Sequence, residues 1–211
     1  MPGARAKALT QWQPWVAGDD GRLVCGSGDF PTWRRRGPIS LIGCNSARAT
    51  MPFLATGFFR AGQASRLAAL LRQEGAQGRC RVVLIHHPPV SGATRRHKRH
   101  NGQSLFRKVI AEHGAELVLH GHTHLNTVHT ISGPNGPVPV VGVPSGAQAP
   151  LAAMRKPAAR YNMFQFEQGE NDPQQALEQI ARLLLLADDG QRRHQPVRAD
   201  QERPLLAGQP V

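Results

Sequence analysis

Two short apolar runs, each followed at once by histidines, are the clearest feature of the hydrophobic pattern. The runs lie at 82–85 and 117–119, and turn-forming glycine or proline follows each of them. Apolar runs of this length are typical of buried strands. The histidines that follow them are His86, His87, His120, His122 and His124. The pattern therefore predicts two strands that deliver imidazoles at their carboxyl ends.

Other periodic stretches complete the set of predicted elements. Leucines at helical spacing predict a helix over 64–74, and a similar pattern predicts one over 103–113 that stops at Gly114. Strands are predicted at 38–44, 81–86, 117–119, 126–131, 137–143 and 160–167. Asn135-Gly136 is a hairpin signal between two of these strands. The order strand, helix, strand predicts parallel pairing through a right-handed crossover.

This alternation predicts an α/β (α+β) fold, in which mixed β-sheets are flanked by helices. Three segments are expected: an irregular segment at 1–36, a folded region at 37–167, and a final segment at 168–211. The last should contain a helix over 173–187 and then a polar, disordered tail.

Composition narrows the class of protein. The chain has 211 residues, 40% of them hydrophobic, and no apolar run approaches the roughly 18 residues of a membrane helix. The N-terminus lacks the apolar segment of a signal peptide, so a cytoplasmic location is expected. Cys25, Cys44 and Cys80 have no CxxC spacing, which predicts reduced thiols rather than disulfides or a cysteine zinc site.

The formal charge of +12 attracts polyanions, and part of it lies in basic runs at 34–36 and 95–100. The simpler interpretation is that both runs are solvated loops. The functional alternative is that Arg95 and Arg96, which follow His86 closely, help to bind a phosphate-bearing substrate. No aromatic residue is interleaved with these charges, so a stacking surface for single-stranded nucleic acid is not indicated.

Four motifs in order resemble the C-terminal portion of the calcineurin-like metallophosphoesterases. They are PISLIGCNSA at 38–47, VVLIHHPP at 82–89, LVLHGHTH at 117–124 and VPSG at 143–146. The resemblance covers about 37–167, and it implies part of a four-layer α/β/β/α sandwich. It also implies a metal-dependent phosphoesterase whose substrate is a phosphomonoester or phosphodiester, with nucleotides and cyclic nucleotides included.

The resemblance implies roles for individual residues. His86 and His122 would bind one metal ion and His124 a second, in a site for two divalent cations such as Mn, Fe or Zn. His87, His120 and Asn45 are weaker candidates that would orient ligands or contact substrate, as would Arg95 and Arg96. His120 could equally be an ordinary core histidine, and Asn45 is expected chiefly to form a turn.

Complete members of this family also carry Asp-x-His, Gly-Asp and Gly-Asn-His motifs ahead of this region, and the sequence contains none of them. Asp19, Asp20 and Asp29 stand in the wrong context to replace them. Three histidines shared by two metals complete neither coordination sphere. We therefore expect weak or no turnover from this chain alone, unless a complementary N-terminal half or a homodimer supplies the rest.

A hypothesis of another class is a catalytically dead module that binds phosphate or nucleic acid through its positive charge. Affinity that falls steeply with salt and ignores chelators would favour it.

Overall fold

The computed structural model describes residues 10–51, 55–92, 100–147, 157–166 and 181–184. The chain divides into two compact units, Met1–Arg160 and Tyr161–Val211. All of the chemistry discussed below lies in the first unit.

The first unit contains eight strands in its described part. In chain order they are β1 (Thr32–Arg36), β2 (Ile39–Gly43), β3 (Gly57–Phe58), β4 (Cys80–Ile85), β5 (His100–Asn101), β6 (Leu117–His120), β7 (Thr127–Gly133) and β8 (Gly136–Gly142). Six of them form one sheet in the order β1-β2-β4-β6-β8-β7, and β3 pairs with β5. The four central strands run parallel, and each edge strand is antiparallel to its neighbour.

The strands are accompanied by helices α1 (Gln13–Val16), α2 (Ala61–Ala76) and α3 (Gln103–His113). The register aligns Ile42, Val83, Val118 and Val140 across the four parallel strands, and all four are fully buried. They share one hydrophobic core with residues of α2 and α3, such as Leu67 and Phe106. The helices therefore cover the sheet face to which this row points.

This architecture confirms the predicted mixed α/β fold. The predicted helix at 103–113 matches α3 residue for residue, and the helix predicted at 64–74 lies within α2. Parallel pairing of β4 with β6 and the β7–β8 hairpin also follow the prediction. The four-layer sandwich and the three predicted segments stay predictions.

Two local predictions are wrong. Thr32–Arg36 is not irregular or a solvated loop, because it forms β1. Its arginines have specific partners: Arg34 donates to main-chain carbonyls, and Arg35 forms a two-pronged ion pair with the buried Glu74. A run of three arginines shows no apolar alternation, so the sequence pattern could not reveal the strand.

The second correction concerns the predicted helix at 173–187. Within it, Ala181–Leu184 forms strand β10, which pairs antiparallel with β9 (Met163–Phe166). A neighbouring strand that accepts main-chain hydrogen bonds has overridden local helical propensity at these four residues. The rest of the predicted helix lies outside the described residues.

The structure describes no helix that is long and apolar enough to cross a membrane. All three cysteines are free thiols, as predicted. Burial raises the pKa of both Cys44 and Cys80 to about 12, so neither is a reactive thiolate at neutral pH.

Candidate metal centre

The candidate metal centre lies at the carboxyl edge of two neighbouring strands. Strands β4 and β6 run parallel, and Ile85 pairs with His120 at the last rung between them. The residues that follow each strand therefore emerge side by side. The main-chain N–H of Gly121 donates to the carbonyl of His86, which fixes the two turns together. This arrangement brings the histidines of both motifs to one place.

His86 and His122 present ring nitrogens directly to each other. Nε2 of His86 lies 3.2 Å from Nδ1 of His122. Two imidazole nitrogens that bind one zinc ion at about 2.0–2.1 Å, with a tetrahedral angle between them, are about 3.3 Å apart. The observed separation matches this spacing, and it is also a hydrogen-bonding distance between the two rings. These two histidines lie 36 residues apart, so the fold alone creates the pair.

The backbone of the Gly-His-Thr-His turn is strained at both of its metal-ligand candidates. His122 has a φ of 66° and His124 a φ of 58°, which places both in the left-handed region. This conformation costs a non-glycine residue roughly 1–2 kcal/mol. Such strain persists where the surrounding structure enforces it, and it clusters at functional sites. The turn thus holds two imidazoles in positions that a relaxed backbone would not give them.

His124 lies close enough to His86 for its charge to matter. Desolvation, and secondly the positive charge of His124, lower the pKa of His86. Nδ1 of His124 is buried, and no hydrogen-bond partner for it occurs in the described part of the chain. A buried ring nitrogen in this state is available to a ligand or ion. His124 does not join the compact group of nitrogens within 4.8 Å, which comprises His86, His87 and His122.

His87 belongs to that group by distance but already uses both of its ring nitrogens. Nδ1 lies 2.8 Å from the hydroxyl of Ser46, and Nε2 lies 3.1 Å from the carbonyl of Ala55. A carbonyl can only accept, so Nε2 carries the proton and Nδ1 accepts from the serine. Metal binding would require His87 to lose one of these bonds. We therefore assign it a positioning role, with its ring centroid 4.3 Å from that of His122.

His120 is a buried histidine that supports the turn. Its Nδ1 lies 3.1 Å from the carbonyl of Gly121, and its ring packs so closely on Gly142 that a Cβ there would approach within 2.6 Å. Burial lowers the pKa of His120. Both of the roles considered for this residue, core histidine and support of the ligands, agree with this position.

The remaining candidates lie elsewhere. Asn45 forms a turn, because its side-chain oxygen accepts from the N–H of Ala47. Arg95 and Arg96 fall outside the described residues. The three early aspartates have local roles, with Asp19 bonded to β1, Asp20 to Arg22 and Asp29 to nearby main-chain N–H groups. None of the three is in the histidine group.

The prediction that His100 lies with the basic run at 95–100 in a solvated loop is wrong. His100 is 1% exposed, its ring centroid lies 6.1 Å from that of His87, and burial lowers its pKa to about 4. Ser46 was not predicted at all. Only a hydrogen bond across 41 residues reveals its role, and no local pattern signals such a contact.

The donor set fits one metal ion but not two. The described group contains neutral imidazoles, and burial holds the pKa values of His86 and His87 below the ordinary range, which keeps their lone pairs free of protons near neutral pH. Imidazole suits Zn, Mn or Fe. A bridging carboxylate, which a pair of cations requires, does not join this group among the described residues.

In comparisons with known proteins, no family model and no curated protein matches the chain.

Proposed function

We propose that this chain carries part of the active site of a metal-dependent phosphoester hydrolase of the calcineurin-like kind. The observation that carries the proposal is the pair of imidazole nitrogens of His86 and His122, 3.2 Å apart at the ends of two parallel strands. The Gly-His-Thr-His sequence supports the proposal, since both of its histidines, His122 and His124, are held in a strained backbone conformation.

Each residue of the site has a distinct task in this proposal. His86 and His122 would hold the metal ion, and His124 offers its buried Nδ1 to a further ion or ligand. His87 fixes the loop after β2 against the loop after β4 through Ser46. A divalent cation held there would supply the positive charge for phosphate oxygens and lower the pKa of water, as hydrolysis of a phosphoester requires.

The substrate class follows from that chemistry: a phosphomonoester or phosphodiester, with nucleotides and cyclic nucleotides included. The remaining metal ligands would come from outside the described residues. We propose that a complementary N-terminal half or a second copy of the chain supplies them, because the described residues offer no bridging carboxylate to the histidine group.

The proposal predicts metal binding that depends on the histidine pair. We expect purified, tag-free chain loaded with Zn or Mn to retain close to one metal ion in elemental analysis, and His122→Ala to retain less than a tenth as much. His113→Ala is the matched control, because His113 lies at the carboxyl end of α3 and contacts Glu112 instead of the cluster. Its metal content should equal that of the wild type.

Turnover of a chromogenic phosphodiester in the same samples tests the catalytic half of the proposal. We expect turnover that is weak or absent in the chain alone and that rises when the complementing half or partner is added, with loss on chelation. Wild-type metal content no higher than that of His122→Ala would refute the proposed site. Turnover that persists in His122→Ala would refute its catalytic role.

A further inference from the structure

A second polar site is a cavity of about 250 Å³. Its walls come from the loop after β2, from β3 and from the start of α2. The lining side chains with chemical interest are Asn45, Arg48, Phe58, Arg60, Gln63 and Arg66. Three of these six are arginines, and no acidic residue is among the described residues that line the cavity.

The arginines are arranged around an aromatic ring. The guanidinium carbons of Arg48 and Arg60 lie 5.6 and 5.5 Å from the centroid of the Phe58 ring, within the range of cation–π attraction. Within the described part of the chain, neither guanidinium has an ion pair or hydrogen bond. By contrast, Nε of Arg66 donates to the carbonyl of Phe30, which ties that arginine to the fold.

The wall between the arginines is rigid. Gln63 is buried, and its amide donates to the carbonyl of Asn45 and accepts from the N–H of the same residue. The carboxylate of Asp29 does not line the cavity; it accepts from the N–H groups of Cys25 and Gly26 and forms no ion pair with Arg48 or Arg60. Two guanidinium groups thus line the cavity without a counter-charge from any carboxylate that the structure describes.

We propose that this cavity binds the phosphate group of a small phosphorylated ligand, with Arg48 and Arg60 as its principal contacts. Guanidinium groups match phosphate oxygens in charge and in planar donor geometry. The volume exceeds that of a phosphate ion and leaves space for a small organic group attached to it. This site is distinct from the candidate metal centre, and it does not depend on metal binding.

The cavity and the metal centre are nevertheless joined by short paths through the chain. Ser46, which bonds His87, lies between two residues that line the cavity, and Gly57, which packs on His87, precedes Phe58. The chain therefore links residues that line the cavity directly to residues that contact His87.

Titration calorimetry of the full chain with inorganic phosphate, in excess chelator and at constant ionic strength, tests the proposal. We expect measurable binding that Arg48→Ala and Arg60→Ala each weaken by about tenfold, since a hydrogen bond to a charged group contributes roughly 1.5 kcal/mol or more. Arg72→Ala is the matched control, because Arg72 is exposed on α2 but does not line the cavity. It should bind as the wild type does.

Every other outcome overturns the assignment. Absent binding by the wild type would do so, as would equal weakening by Arg72→Ala, which would indicate a general effect of net charge. Loss of binding in His122→Ala, with Arg60→Ala unaffected, would move the phosphate to the histidines. Because chelator removes any metal, failure of the metal centre leaves this test intact.

Discussion

The two ends of strands β4 and β6 have opposite chemistry. At their amino ends, Arg81 and Glu116 form a salt bridge in which their side chains are only 8% and 13% exposed. Arg81 also donates to the carbonyls of Leu71 and His113 in the two helices. At the carboxyl ends stand the histidines of the candidate metal centre, two of them in a strained turn. Buried charge that is fully paired stabilises one edge, whereas the other edge keeps its donors available for a ligand.

The difference suggests that the amino edge of this pair of strands stabilises the fold and that the carboxyl edge binds a ligand. The amino edge ties both helices to the sheet, so it fixes the register on which the carboxyl edge depends. The carboxyl edge is held in place by this framework at some cost in stability. Substitutions at the amino edge should therefore reduce stability more than metal binding, and substitutions at the carboxyl edge should reduce metal binding more than stability.

The largest effect on stability is expected from Glu116→Ala. Removal of this carboxylate leaves Arg81 buried without a counter-charge, which typically costs about 3–5 kcal/mol. Urea unfolding should show this loss. Glu112→Ala is the control, because Glu112 is half exposed and its contacts with Lys108 and His113 are long surface contacts, so its removal should cost less than about 0.5 kcal/mol. Equal losses of stability in the two variants would contradict the stabilising role of the amino edge.

The next effect is a loss of stability in acid that originates at the carboxyl edge. The pKa of His100 is about 4 in the folded chain and about 6.5 when unfolded, so only the unfolded chain gains a proton between these values. His100 alone should therefore cost about 2 kcal/mol between about pH 7.5 and about pH 5. The lowered pKa values of His86, His87 and His120 act in the same direction.

Urea unfolding of His100→Leu at both pH values measures this contribution. The variant should lose less stability on acidification than the wild type does. An unchanged dependence in His100→Leu would show that this buried imidazole is not the source.

The smallest expected effect is a difference in stability between two variants of His122. It separates the backbone strain at this residue from the metal-binding role of its ring. At a φ of 66°, glycine is free of the penalty that His122 bears, so His122→Gly should be about 1 kcal/mol more stable than His122→Ala. Both variants should lack metal binding equally. Identical unfolding free energies for the two would mean that the turn relaxes once the ring is removed.

The elements that carry the histidines could be predicted from the sequence, whereas strand β1 could not. Helix α3 and the strands that deliver the histidines were located from apolar spacing, because periodicity is a local property that follows directly from which face is buried. The parallel pairing of β4 and β6 followed from the helix between them. The carboxyl-edge position of His86 and His122 could be predicted for the same reason.

Tertiary structure decided what the side chains do there. Three features depend on residues that are far apart in sequence or lie in separate elements. They are the 3.2 Å distance between His86 and His122, the hydrogen bond between Ser46 and His87, and the burial of His100. Likewise, Arg48 and Arg60 become a site only when their loops meet at Phe58. Local patterns specify which residues face inward, but only packing fixes which of them meet, because long-range contacts depend on the whole chain.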